Sequence, residues 1–203
     1  LGGIYLDIVK DRLYTCKSDS VARRSCQTSL DYLLNILVRL IAPILSYTAE
    51  EIWQSSERLN NQEESIFLSN YDLSEINEES IITKSDWNRI FEIKNDVNQS
   101  IEEMRNENQL KGSLDANVYI EASKNDIKIL EKLGAELHFL FICSETNIIE
   151  NNNFKITVKS LSNQKCTRCW HRHESVGTSK KHPDLCNRCI ENVDGEGEKR
   201  SFV

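Results

Sequence analysis

Lys165-Cys-Thr-Arg-Cys-Trp170 and Cys186-Asn-Arg-Cys189 carry two CxxC knuckles with sixteen residues between the second and third cysteines. A CxxC sets two sulfurs on one tight turn, and a loop of this length lets the second pair close a tetrahedron from the opposite side, at about 2.3 Å per Zn–S bond. Cys166, Cys169, Cys186 and Cys189 together fill every position of such a site. One Zn2+ is therefore implied, a structural ion with no open position for water or substrate, and so no activated nucleophile. A redox CxxC needs a thioredoxin-like βαβ context that is missing around these residues, and two disulfides suit a short secreted chain. His171, His173 and His182 could each replace one sulfur, but a full thiolate set is already present.

Outward from the knuckles, seven cysteines leave Cys16, Cys26 and Cys143 as an odd remainder, which argues against a disulfide framework and for reduced thiols. The 203 residues suit one large domain or two small ones, and 39% hydrophobic content is enough for real cores. No signal-peptide core and no apolar run near 18 residues occurs, so the expected location is cytoplasmic, with no membrane contact. The chain begins Leu-Gly-Gly, and is expected to be a piece of a longer polypeptide.

The net charge of −7 is unevenly spread. Residues 1–49 carry about +2, residues 50–150 about −13 and residues 155–203 about +4. The basic charge sits on the zinc module, where it has two readings. It can meet a polyanion, or it can offset the −2 of a Zn2+ with four thiolates through Lys165, Arg168 and Arg188.

Between Gly3 and Gly112 there is no glycine and one proline, Pro43, which favours long helices. Leu30, Leu33, Leu34, Leu37 and Ile41 follow a helical period that ends or kinks near Pro43, with Leu33 and Leu37 expected in the core along with Trp53. Thr48-Ala-Glu-Glu51 has the form of a capping box before Ile52 and Trp53. Trp87, Ile90, Phe91, Lys94, Val97, Ile101 and Met104 trace another long helix, started by Ser85 or Asp86. Residues 58–82 read as an irregular acidic connection around Ile66-Phe67-Leu68. After Gly112 the pattern changes to alternating Val118 and Ile120, a short helix through Ile127, Leu130 and Leu133 closed by Gly134, then Leu137 to Cys143 and Phe154-Lys-Ile-Thr-Val158. The tail Gly195-Glu-Gly-Glu-Lys-Arg200 is expected to be flexible unless docked. The fold class is thus mainly α: a helical bundle over 1–111, a small α/β junction unit over 112–162, and a four-cysteine zinc finger with its tail over 163–203.

Several separate segments resemble the C-terminal part of bacterial isoleucyl-tRNA synthetases. Tyr5-Leu-Asp-Ile-Val-Lys-Asp-Arg-Leu-Tyr14, Ala22-Arg-Arg-Ser25 with Gln27-Thr28, and Leu40-Ile-Ala-Pro-Ile-Leu-Ser46 through Trp53 are similar to that family's helical anticodon-binding domain. Ile101-Glu-Glu-Met-Arg105 and Gly112-Ser-Leu-Asp-Ala116 resemble a further stretch, with Asp115 where Glu is usual. The two knuckles and the Gly195-to-Arg200 tail resemble the terminal finger. The resemblance covers essentially the whole chain.

The family's His-Ile-Gly-His and Lys-Met-Ser-Lys-Ser type signatures are absent from these residues, so the resemblance implies a non-catalytic part of a ligase. ATP and Mg2+, and the joining of isoleucine to tRNA(Ile), would belong to catalytic and editing domains elsewhere in the same polypeptide, expected to be a monomer. The part in hand would hold the anticodon stem and loop. Unstacked loop bases are read by stacking on aromatic rings or Arg planes, which Trp170 and Arg168 beside Cys169 could supply. Lys165, Arg172, Lys180, Lys181 and Arg188 would contact phosphates, and Lys10, Arg12, Arg23 and Arg24 could extend that track or serve as helix-to-helix salt bridges. Trp170 has an alternative role in packing the finger's own core. Two other functions remain open at this stage: a DNA-binding zinc ribbon of DNA-glycosylase type, and a purely structural zinc module.

Overall fold

A short π-helical turn, Gly2–Leu6, leads into α1 (Asp7–Thr15), and α2 (Val21–Ile41) follows in the computed structural model. The structure describes residues 2–56, 63–70 and 80–202, and the chain divides into two compact units, Leu1–Arg24 with Ser80–Val203, and Ser25–Glu79. No helix among the described residues is long and apolar enough to cross a membrane.

In the unit Ser25–Glu79, α2 stops two residues before Pro43, whose ring cannot continue a helix. Then α3 (Ser46–Ser55) begins, and a single 3-10 turn, Ile66–Leu68, closes the described part. Val38, Ala42, Ala49, Trp53 and Ile66 form its core, with Ile41 and Ile52 partly buried against it. The Trp53 indole Nε1 donates to the Glu63 carbonyl at 2.9 Å, so this large ring is buried with its one polar atom paired.

Two sequence expectations are corrected here. Leu37 is 42% exposed and Leu33 only half-buried, so the core face of α2 is the one carrying Val38, Ile41 and Ala42. Leu30, Leu33, Leu34 and Leu37 share one arc of about 100°, but the side chains that pack with Ala49, Trp53 and Ile66 are on the adjacent arc of Val38, Ile41 and Ala42. Thr48 does not cap α3. The helix begins at Ser46, whose hydroxyl bonds back to the Ala42 carbonyl at 3.1 Å.

The other unit is built on α4 (Lys84–Asn106). Its cap is Thr83, not Ser85 or Asp86: Thr83 Oγ1 accepts from the Asp86 N–H at 3.1 Å while Asp86 Oδ2 accepts from the Thr83 N–H at 2.8 Å. Ile90, Ile93, Val97 and Ile101 line its buried face. Lys94 lies on that face too, and its ammonium donates to the Leu140 carbonyl at 2.7 Å. Burial lowers its pKa.

Against α4 packs a three-stranded sheet in the order β2-β1-β3, formed by β1 (Ala116–Ala122), β2 (Glu145–Glu150) and β3 (Lys155–Ser160). β1 runs parallel to β2 and antiparallel to β3, with Val118 opposite Thr146 and Val158. A parallel pair needs a crossover, supplied here by α5 (Lys124–Glu131) and α6 (Leu137–Phe141). Gly134, at φ +54, makes the turn between those two helices. β2 was not anticipated from the sequence.

The core of this unit joins Ile8 of α1, the α4 stripe, Val118 and Ile120 of β1, and Leu130, Leu133 and Phe141. The expected division between residues 111 and 112 therefore falls inside one core. A small sheet must cover its apolar face, and α4 is what covers it.

Candidate metal centre and its surroundings

The knuckle around Cys166 is a tight hairpin. Lys165 and Arg172 form an antiparallel bridge, the Cys166 N–H donates to the His171 carbonyl at 2.9 Å, and the Trp170 N–H donates to the Cys166 carbonyl at 3.0 Å. The second knuckle opens α7 (Asn187–Asp194), with Cys186 at its N-cap position and Cys189 in its first turn. These two devices bring all four sulfurs within 4.8 Å of one another, each residue buried.

The sulfur spacing identifies the chemistry. Cys169 Sγ and Cys186 Sγ are 3.7 Å apart. A disulfide would need about 2.05 Å, whereas two ligands on a tetrahedral Zn2+ with bonds of about 2.3 Å lie about 3.8 Å apart. The donor set and spacing fit a structural zinc ion. Hydrogen bonds from Cys169 and Cys189 hold the Cys186 thiol below the ordinary thiol range, and the same crowding pushes Cys189 up. Cys186 N–H donates to Cys166 Sγ at 3.4 Å and Arg168 Nη1 to Cys189 Sγ at 3.8 Å, the type of outer contact that supports thiolates. Cys166, Cys169, Cys186, Cys189 and Val176 make the finger's own small core. His171, His173 and His182 are outside the cluster.

The basic residues separate into two groups. Arg188 donates to both carboxylate oxygens of Asp11, at 2.7 and 2.9 Å, and Arg172 donates to Asp115 at 2.6 Å and to the Asn163 carbonyl at 2.7 Å. Arg168 also donates to the Thr15 carbonyl. Arg12 is buried, with Nε donating to the Ala22 carbonyl at 2.7 Å. These four guanidiniums tie elements together, which is where a buried planar fork gains most. Arg23 is half-buried, and its Nε is buried too.

The second group faces outward. Lys165, Lys180, Lys181, Lys10 and Arg24 are exposed. Lys181 pairs with Asp194 at 2.7 Å and Lys10 with Asp7 at 2.6 Å. Trp170 is 62% exposed, so it does not pack the finger's core. It also sits at φ +66, a left-handed conformation that bulky residues rarely adopt.

The tail is docked. Glu198 accepts from Arg188 at 3.2 Å, Asn192 at 3.0 Å and the Cys16 thiol at 3.2 Å. Arg200 pairs with Asp11, and its guanidinium lies 3.3 Å from the Phe139 ring centroid. Burial, reinforced by Glu198, pushes the Cys16 thiol up to about 12. Gly197 permits this path with φ +90. Sequence reasoning missed Asp11, Glu198 and Arg200 as frame residues. The signal was the alternation of Glu and Arg in the tail, which asks for partners once the backbone is fixed.

Comparison with known proteins adds two family matches. Residues 1–130 match a family described as the anticodon-binding domain of tRNA ligase, and residues 163–192 match one described as a zinc finger found in FPG and IleRS. The chain is similar to the isoleucine–tRNA ligase of Histophilus somni, 41% identical over 215 residues, and to that of Hahella chejuensis, 42% identical over 218 residues. The ligase of Francisella philomiragia is 40% identical over 216 residues. In each case the match takes 100% of this chain but 23% of the relative, so the chain spans about a quarter of the length of these proteins.

Proposed function

Because the chain belongs to the anticodon-binding domain family of tRNA ligases, we propose that it is the tRNA-reading region of an isoleucine–tRNA ligase. Its partner is tRNA(Ile), and the remainder of that polypeptide, carrying the catalytic and editing domains with ATP and Mg2+, attaches isoleucine. The ligase acts as a cytoplasmic monomer. The observation that supports this reading best is the coexistence in one chain of the anticodon-domain match over residues 1–130 and a finger whose four sulfurs are spaced for Zn2+. The finger match alone is shared with FPG, and so does not choose between RNA and DNA. Residues 1–130 favour RNA.

In this reading the finger is a rigid platform. Trp170 offers an open ring face to a loop base, Lys165 and Lys180 reach phosphates, and Lys181, Lys10 and Arg24 widen the basic edge. Arg12, Arg168, Arg172 and Arg188 serve mainly by holding that frame, and Arg23 stands beside them half-buried. Base stacking on an aromatic is worth about 1–3 kcal/mol, while phosphate contacts contribute affinity without sequence preference.

The test compares Trp170→Ala and Lys180→Ala in the full-length enzyme, each checked first for bound zinc. Trp170→Ala should weaken cognate tRNA by about 1–3 kcal/mol. Lys180→Ala should weaken all tRNAs alike and reduce the salt dependence of binding. Isoleucine activation without tRNA should be unchanged in both. Full tRNA affinity in both zinc-loaded variants would reduce the finger to a structural clamp.

A further inference from the structure

A recess of about 430 Å3 lies between α6, the start of β2 and the finger. Its walls include His138 of α6, His171 and His173 of the first knuckle, Glu145 of β2, and Cys186, one of the four sulfur ligands. Two other recesses also touch a ligand cysteine. The one at Cys169 is largely apolar and has Lys10 and Arg168 in its wall, and the one at Cys166 has Lys165. Imidazoles and a carboxylate gather at Cys186, so this is the approach suited to a divalent cation. Arg188, also in the wall, is already matched by Asp11 and Glu198.

His171 supplies an independent observation. It is 8% exposed, its Nδ1 lies 3.2 Å from the Cys169 carbonyl oxygen, and its Nε2 is buried with no hydrogen-bond partner among the described residues. An imidazole whose Nδ1–H is tied to a carbonyl presents a bare lone pair at Nε2, the disposition of a metal-ligating histidine. The His138 ring stands 5.8 Å away, centre to centre. Two imidazoles on one tetrahedral Zn2+, with Zn–N bonds of about 2.0–2.1 Å, put their ring centres roughly 5 Å apart. Burial, above all, holds His138 down at about 3, so its ring is neutral, the form that ligates.

Two imidazoles do not make a resident site. Among the described residues, the four sulfurs alone gather three or more donor atoms within 4.8 Å of one another. A histidine pair with water in its other positions binds a metal weakly and releases it quickly, which suits transfer. The four cysteines are at most 6% exposed, and an ion lost outright takes the finger's folding energy with it. Replacement in the folded state therefore needs a second holding point beside the sulfurs.

We propose that this recess is a metal-exchange port, where His171 Nε2 and His138 hold an incoming Zn2+ beside Cys186 so that the finger's ion is replaced without unfolding. Cys186 bridges the two ions during the exchange. Each thiolate that leaves the outgoing ion passes to the incoming one, and the outgoing ion takes up the imidazoles and water. Four Zn–S bonds break and four form, and no proton or electron changes hands. Glu145, whose Oε2 accepts from Asn117 at 2.8 Å, adds negative charge to the wall that draws the cation in.

The test follows isotope exchange in the zinc-loaded full chain. An enriched zinc isotope is added at rising concentration, free metal is removed, and the isotope ratio of the bound zinc is read with time. The unaltered chain should exchange at a rate that climbs with added zinc, with the finger's amide protection intact throughout. His171→Gln and His138→Gln should each slow exchange roughly tenfold or more while keeping one zinc per chain. His182→Gln, at a histidine paired with Asp194 outside the recess, should leave the rate unchanged. If His171→Gln fails to hold zinc, His138→Gln decides, because His138 lies on α6 and outside the finger. A rate independent of added zinc, or one unaltered in His138→Gln, would overturn the port and would leave the tRNA reading untouched.

Discussion

The guanidinium of Arg188, one residue before the last zinc ligand, makes a two-pronged ion pair with Asp11 of α1, at 2.7 and 2.9 Å. Burial alone would raise the Asp11 carboxyl, but Arg188 and then Arg200 hold it well below the usual carboxylate range. Removing Arg188 strips Asp11 of its two-pronged partner and leaves Arg200 alone to offset a carboxylate that water reaches little. Arg188→Met should cost about 3 kcal/mol in urea denaturation of the zinc-loaded chain. Combined with Asp11→Asn, it should show a coupling above about 1 kcal/mol in a double-mutant cycle. Additive single effects would mean that the finger and α1 are not linked through this pair.

Metal removal should unfold the finger and little else. Zinc binding is folding free energy for residues 165–190, on the order of 10 kcal/mol by analogy with finger peptides, because its core is largely the four cysteines themselves. The cores built on Trp53 and on α4 contain none of those cysteines. A chelator should erase the finger's amide protection in hydrogen exchange and spare α4. Cys186→Ser should release the ion, and Cys26→Ser should keep one zinc per chain by elemental analysis.

Helix α2 offers a contrast between neighbours. Trp53, 2% exposed and packed against Val38, should cost about 3–5 kcal/mol when cut to alanine. Leu37→Ala should cost about 0.5 kcal/mol or less in thermal melts of the chain. Equal losses would restore Leu37 to the core and reverse the assignment of the helix face.

Asp86 supplies a pH dependence. Its hydrogen bonds with Lys132, then with Thr83, hold its carboxyl down at about 2. Against an unfolded value of about 3.9, the folded pKa is depressed. The contribution is therefore fully present above about pH 4 and is lost as pH falls through about 2. A side-chain NMR titration should find a midpoint near 2 for Asp86, and Lys132→Met should move it upward.

The knuckles were legible because metal chemistry fixes both residue type and spacing, and the α4 stripe because a long buried helix repeats its period many times. Leu37 misled because the leucines form a proper helical stripe of about 100°, while the face buried against Trp53 is the neighbouring one of Val38, Ile41 and Ala42. β2 was hidden because its sequence, Glu145-Thr-Asn-Ile-Ile-Glu150, is an edge strand rich in polar residues, and becomes a strand only when β1 pairs with it. The basic residues of the finger were seen as one track. What divides Arg172 and Arg188 from Lys165 and Lys180 is the position of Asp115 and Asp11, more than fifty residues away along the chain.

The most direct measurement is a hydroxyl-radical footprint on tRNA(Ile) with the zinc-loaded chain and again after zinc removal. Protection should cover the anticodon stem and loop, leave the acceptor end reactive, and fade in the loop when zinc is removed. A loop that stays reactive with zinc bound, or protection that persists undiminished without it, would contradict a finger that reads RNA.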